Sequence, residues 1–196
     1  MDFPSSAAIE WMADQIARNK RGDPGGVFSI CSANRMVLDA AMKWARLKGC
    51  PLCIETTSNQ VNQFGGYTGT DPQAFRRFIL RLAEENEFPA HRLILGGDHL
   101  GPNPWQNLEA PRALEHSCQL VHDYVAAGYT KIHLDTSMAC TGDVESAVEA
   151  LDEETIAERA AALCEIAEKV GRRRSPRYPM PVYVVGTEVP VPGGAT

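Results

Sequence analysis

Two adjacent side chains of different character, Asp98 and His99, close an apolar run and open a proline-rich loop. The run is Leu93-Ile94-Leu95, followed by Gly96 and Gly97. The loop carries Gly101, Pro102 and Pro104, which exclude a regular element and demand a shaped turn. A carboxylate beside an imidazole is a base next to a proton carrier or metal ligand. Parallel α/β sheets and barrels bring such groups to the C-terminal ends of buried strands. The plain structural alternative is an acid capping a turn beside a histidine packed under prolines.

Groups of the same kind recur along the chain. Residues 131–135 read Lys-Ile-His-Leu-Asp, so Lys131, His133 and Asp135 share one face of a strand and Ile132 and Leu134 the other. Three polar side chains turned into an apolar core are costly without partners. A hydrogen-bonded network between layers accounts for Lys131, whereas Asp135, nearest the strand end, is placed for chemistry. Glu55 lies mid-strand, ahead of a loop holding Ser58, Asn59, Gln60, Asn62 and Gln63. Amides both donate and accept, which suits sugar hydroxyls; the alternative is a turn that bonds its own backbone. Glu188 follows Gly186 and Thr187 at the rim of a fifth strand, where a carboxylate ligates a metal or moves a proton. Gly193 and Gly194 offer backbone amides of the type that cradle phosphate. Trp105 is a candidate pocket wall, and His91, His116 and His122 read as surface or packing residues.

The elements that must position these groups follow from periodicity. Helices are expected over 6–20, 34–48, 71–86, 111–127 and 152–170. Asn34 and Asp71-Pro72 mark helix starts, and Gly49, Gly128 and Gly171 mark ends. Strands are expected over 27–32, 51–57, 93–95, 130–136 and 181–187, with 137–151 a loop holding short helical pieces. This β-α alternation calls for a parallel sheet with right-handed crossovers. No Gly-x-Gly-x-x-Gly follows the first strand and no P-loop occurs, so a nucleotide cofactor is not expected. Five units fall short of an eight-stranded barrel of about 250 residues, and an open doubly wound sheet would accommodate them. Because no helix covers the fifth strand, the reading preferred here is a single domain over 1–196. It forms the first five units of a (β/α)8 TIM barrel, the rest being absent. Unpaired edges would then favour self-association into a homo-oligomer.

Bulk properties narrow the class. The 196 residues suffice for one domain with a real core. A net charge of −6 and no basic face argue against nucleic acid, and the arginines at 172–174 and 177 read as a solvated loop. No apolar stretch approaches the roughly 18 residues that span a bilayer, and the N-terminus lacks the pattern of a signal peptide. The six cysteines are scattered as small core residues, which fits a reducing cytoplasm. Cys50-Pro51-Leu52-Cys53 has redox or zinc spacing, but it has no second pair and lies at a strand start.

Four blocks of this sequence resemble signatures of the GatZ/KbaZ family, the accessory or non-catalytic subunits of class II D-tagatose-1,6-bisphosphate aldolase, also labelled tagatose 6-phosphate kinase. They are residues 54–69 (Ile-Glu-Thr-Thr-Ser-Asn-Gln-Val-Asn-Gln-Phe-Gly-Gly-Tyr-Thr-Gly), 96–105, 130–140 and 186–195. The resemblance covers the chain from Val27 onward. It implies a TIM barrel of class II aldolase type, in a protein about twice this length, and a place in ketohexose-phosphate metabolism. Some members are described as metal-dependent 4-epimerases interconverting fructose 6-phosphate and tagatose 6-phosphate. Asp98-His99 resembles the class II pair in which the Asp does acid-base work and the His binds zinc. The aldolases' later ligands are histidines, whereas strand five here brings Glu188. Taken together, the candidate catalytic groups are Asp98 and Asp135, and the candidate ligands of a Zn, Mn or Mg ion are His99 and Glu188. Glu55, Ser58, Asn59, Gln60, Asn62, Gln63, Gly193 and Gly194 are the candidate substrate contacts. The resemblance implies a sugar phosphate as substrate; a non-catalytic subunit that stabilises an aldolase catalytic partner is the other role it covers.

Overall fold

A computed structural model describes residues 4–143, 151–174 and 178–186. Helices and strands alternate after an initial helix: α1 Ser6–Lys20, β1 Ser29–Cys31, α2 Arg35–Lys48, β2 Leu52–Thr57, α3 Pro72–Glu85, β3 Leu93–Leu100, α4 Ala110–Ala126, β4 Lys131–Leu134, α5 Glu153–Arg173 and β5 Val182–Val185. The caps are those the residue types dictate. Asn34 accepts from the Met36 amide at 2.9 Å, Asp71 from Ala74 at 2.7 Å and Asp152 from Thr155 at 2.8 Å, each satisfying an orphan donor of a first turn. Gly49 ends α2 in the left-handed conformation at φ 65°.

The five strands are parallel and ordered β1-β2-β3-β4-β5. Strand alternation sorts the side chains. Leu52, Ile54, Leu93, Leu95, Ile132 and Leu134 face α2–α5 and form the main core with Leu38, Met42, Ile79, Tyr124 and Leu163. Cys53 and Ile94, between them in sequence, face the other way and pack on Ala8, Ile9 and Met12 of α1. With α2–α5 on one face and strands in chain order, the winding is that of successive units of a (β/α)8 barrel. A doubly wound sheet would reverse its strand order at a switch point, and this one does not. Helix α1 lies against the concave side, where Met12, Ser29, Cys53, Glu55, Lys131 and Val182 line an open cavity of about 370 Å³.

Three elements differ from expectation. Strand β3 extends five residues further, through both glycines and the Asp-His pair to Leu100. Gly171 does not end α5; it lies buried inside the helix, where a Cβ would stand 2.9 Å from Met180 Cε, so the glycine permits close approach of the chain entering β5. Strand β1 is only three residues long, having a ladder with β2 alone. No helix among the described residues is long and apolar enough to cross a membrane.

Candidate functional site

Consecutive residues of a regular strand point to opposite faces, so Asp98 and His99 could not both face inward from an unbroken β3. Register resolves this. Gly97 stands opposite Ile132 but Leu100 opposite Leu134, so three steps along β3 match two along β4. The extra residue makes a β-bulge, and His99 absorbs it in the left-handed region at φ 47°. Both side chains therefore reach the concave face, and Leu100 returns to the core. Two glycines make the path possible. A Cβ on Gly97 would stand 2.8 Å from the Tyr124 ring, and one on Gly101 only 1.7 Å from the Asp135 carbonyl oxygen.

The site that results is a crossed pair of carboxylate–imidazole couples linking β3 and β4. His133 Nδ1 lies 3.0 Å from Asp98 Oδ1, and His99 Nδ1 lies 2.8 Å from Asp135 Oδ2. The two rings are 4.3 Å apart, centroid to centroid. Asp135 also accepts from the Ser137 amide at 3.0 Å and hydroxyl at 2.6 Å, so its carboxylate is surrounded by donors. It sits behind His99 as an orienting group, fixing Nδ1–H toward itself and turning Nε2 toward Asp98, 3.9 Å away. Burial pushes both carboxyls up. The His133 hydrogen bond and the nearby His99 and Lys131 charges outweigh it at Asp98, and the Ser137 and His99 hydrogen bonds outweigh it at Asp135. Both end below the ordinary carboxylate range, ionised and able to accept.

Asp98, His99 and His133 each offer a ligand atom within 4.8 Å of the others. Two imidazole nitrogens and a carboxylate are a donor set that suits Zn or Mn, with one imidazole already braced by a carboxylate behind it. The residues present therefore fit a divalent cation. Cys31, at the end of β1, approaches the same carboxylate: its Sγ is 3.7 Å from Asp98 Oδ2 and 3.7 Å from Gln60 Oε1. Burial and the Asp98 and Glu55 carboxylates push this thiol up to about 12, so it stays protonated and donates.

The other expected site residues divide by what they touch. Glu55 is buried in an ion pair with Lys131, its chain lying across Gly96, one layer below the imidazoles. Ser58 is fully buried, with Oγ 3.0 Å from the His99 carbonyl. Asn62 builds the loop, donating to the Ser58 carbonyl at 2.8 Å and accepting from the Phe64 and Gly66 amides. Gln63 points outward to the His116 carbonyl at 2.9 Å and lines a groove between α3 and α4. Gln60 accepts from the Thr57 amide at 2.9 Å, and Asn59 is exposed. Glu188, Gly193 and Gly194 lie outside the described residues. Trp105 packs edge-on with Phe64 and lies tilted against His116 beside the loop. Two participants escaped the sequence reading. His133 was legible as inward-facing but not as a partner of Asp98, and Cys31 carried only a strand-end position on the face of Ser29.

Comparison with known proteins places the chain in a family. A solved structure from Sinorhizobium meliloti 1021, a probable tagatose 6 phosphate kinase, is 46% identical and superposes with a TM-score of 0.76, over 85% of this chain and 40% of that one. The chain thus spans well under half of that relative's length. The YdjI aldolase from Escherichia coli K12 aligns over 92% of this chain and 71% of its own, at 14% identity and a TM-score of 0.38, too distant to argue from. The family model for the D-tagatose-1,6-bisphosphate aldolase subunit GatZ/KbaZ matches residues 12–196, and the chain belongs to this GatZ/KbaZ-like family.

Proposed function

We propose that this chain carries the base and metal-ligating half of a ketohexose-phosphate site, interconverting fructose 6-phosphate and tagatose 6-phosphate by epimerisation at C4. The observation that supports it is the ionised Asp98 set beside two imidazoles, His99 and His133, at the C-terminal strand ends. His99 and His133 would hold a divalent cation beside the Asp98 carboxylate, which is left free as the base, and Glu188 is the further ligand expected from β5. Bound there, Zn, Mn or Mg supplies positive charge against the negative charge developing at the C2 oxygen, worth several kcal/mol.

The protein's own groups account for the remaining steps. Asp98, held ionised by its hydrogen bond from His133, takes the C4 hydroxyl proton, and the C3–C4 bond breaks to an enediolate and glyceraldehyde 3-phosphate. The aldehyde turns its other face, the bond re-forms, and Asp98 returns the proton; a placed base contributes roughly 10²–10⁴-fold. Asn59 and the Gln60 amide nitrogen, at the mouth of β2, are the donors for sugar hydroxyls, and Gly193 and Gly194 are the proposed phosphate contacts. Asp135 keeps the His99 ring in its tautomer throughout.

The test is formation of tagatose 6-phosphate from fructose 6-phosphate with Mg²⁺, Mn²⁺ or Zn²⁺, measured on this chain and a full-length relative in parallel. Metal-dependent turnover lost in Asp98→Asn supports the reading; turnover that survives that substitution, or needs no metal, overturns it. The family description, that of a D-tagatose-1,6-bisphosphate aldolase subunit, supports a second reading, in which this chain is a non-catalytic subunit stabilising an aldolase. Silence toward fructose 6-phosphate, with co-purification and stimulation of an added aldolase, would establish that one instead.

A further inference from the structure

We propose that Ser58 is the positioning residue that holds His99 in its left-handed conformation and so decides that Asp98 and His99 face the site together. An inserted residue loses its place in the strand ladder, and His99 is a non-glycine residue at φ 47°, a conformation that bulges ordinarily assign to glycine. A glycine would carry no imidazole, so the chain keeps the ligand and must hold a strained backbone by other means. The His99 carbonyl is held from β2: Ser58 Oγ donates to it at 3.0 Å. Ser58 is itself fully buried and its own carbonyl is fixed by the Asn62 amide at 2.8 Å, so the donor is rigid and water has no access to replace it.

The strain of a left-handed non-glycine residue and the net contribution of one hydrogen bond are of the same order. Removing the hydroxyl therefore lets the left-handed arrangement and one with His99 at negative φ compete within the bulge. In the second, His99 turns away from Asp135 and His133. Apparent affinity for a cation then falls with the fraction of molecules that keep the left-handed arrangement. Ser58 thus reads as a support one shell behind the site, and the sugar hydroxyls are left to Asn59 and Gln60.

Insofar as it concerns metal affinity, this inference rests on the reading above, and the experiment separates the two. The crystal structure of Ser58→Ala, grown without metal, is compared with wild type for the φ of His99, and Zn²⁺ and Mn²⁺ affinities of both are measured by calorimetry. The expected result is His99 leaving positive φ and an affinity lower by about tenfold, as for other supports behind a ligand. His99 unchanged in conformation, with affinity within twofold of wild type, overturns the inference even if melting temperature falls. If wild type binds no divalent cation, the metal reading fails and the His99 conformation alone decides. Should Ser58→Ala not fold, Ser58→Cys takes its place. A thiol is a weak donor with a longer reach and does not hold a carbonyl at 3.0 Å, so the same outcomes apply.

Discussion

Lys131 and Glu55 form an ion pair facing the concave side, with side chains only 16% and 5% exposed. Substituting one partner tells whether this layer is scaffold or chemistry. Unit charges about 4 Å apart at an effective dielectric constant near 20 attract by about 4 kcal/mol. Stripping one partner leaves the other buried without compensation, which costs about 3–5 kcal/mol. Lys131→Met should therefore lower the urea-extrapolated stability by that amount and the melting temperature by about 6–20 °C for a chain of this size. Glu55→Gln should cost less, because the group it strands, Lys131, is the more exposed of the two and the amide oxygen still accepts from the ammonium. The double variant should recover much of the loss, since two neutral groups of similar shape remain, with a coupling energy above about 2 kcal/mol. Gly96 makes the pair possible by leaving room for the Glu55 chain across its Cα, where a Cβ would stand 2.7 Å from Glu55 Cγ. A Lys131→Met variant that loses less than about 1 kcal/mol would refute the argument for a buried scaffold pair. If that variant also lost turnover, Lys131 would belong to the chemistry instead.

Further predictions concern the layer above. Asp135→Asn should weaken divalent-cation binding about 10–100-fold while leaving far-UV circular dichroism unchanged, because it removes the acceptor that sets the His99 tautomer. Gly101→Ala should not yield folded protein, since its Cβ would meet the Asp135 carbonyl at 1.7 Å, backbone that has nowhere to go; soluble expression with a native melting transition would contradict this. Tyr124→Phe should cost about 1–3 kcal/mol in urea denaturation, because the buried hydroxyl bridges the Val61 carbonyl and Thr56 Oγ1, each 2.9 Å away. Asp98 and Asp135 are held below the ordinary carboxylate range, so their folded values lie below an unfolded value near about 3.9. The stability they contribute is whole above that value and drains as pH falls through the folded ones. Urea midpoints of wild type should thus fall more steeply below about pH 4 than those of an Asp98→Asn, Asp135→Asn double variant.

What could be read from the chain was whatever depends on local pattern. Period-2 alternation alone placed Lys131, His133 and Asp135 on one face, and capping chemistry alone placed the starts of α2 and α3 at Asn34 and Asp71. Gly171 misled the same logic, because a glycine after an apolar-periodic helix reads as a stop. Only the packing of Met180 and Pro181 on α5 shows that it is a contact. The bulge lies beyond any local rule. Asp98 and His99 are neighbours in sequence, and alternation would set them on opposite faces. What brings them to one face is a mismatch of a single residue between two strands thirty or more positions apart, together with a serine donor from a third strand's end. The amide-rich loop reads from sequence as a uniform polar surface, whereas the structure gives its members different partners. Ser58 and Asn62 spend their polar atoms on backbone within the fold, and Gln63 spends its amide nitrogen the same way, toward α4. The polar groups nearest the mouth, Asn59 and Gln60, look no different in sequence from those beside them. In this site, then, residue type names the chemistry and register decides which copies of that type perform it.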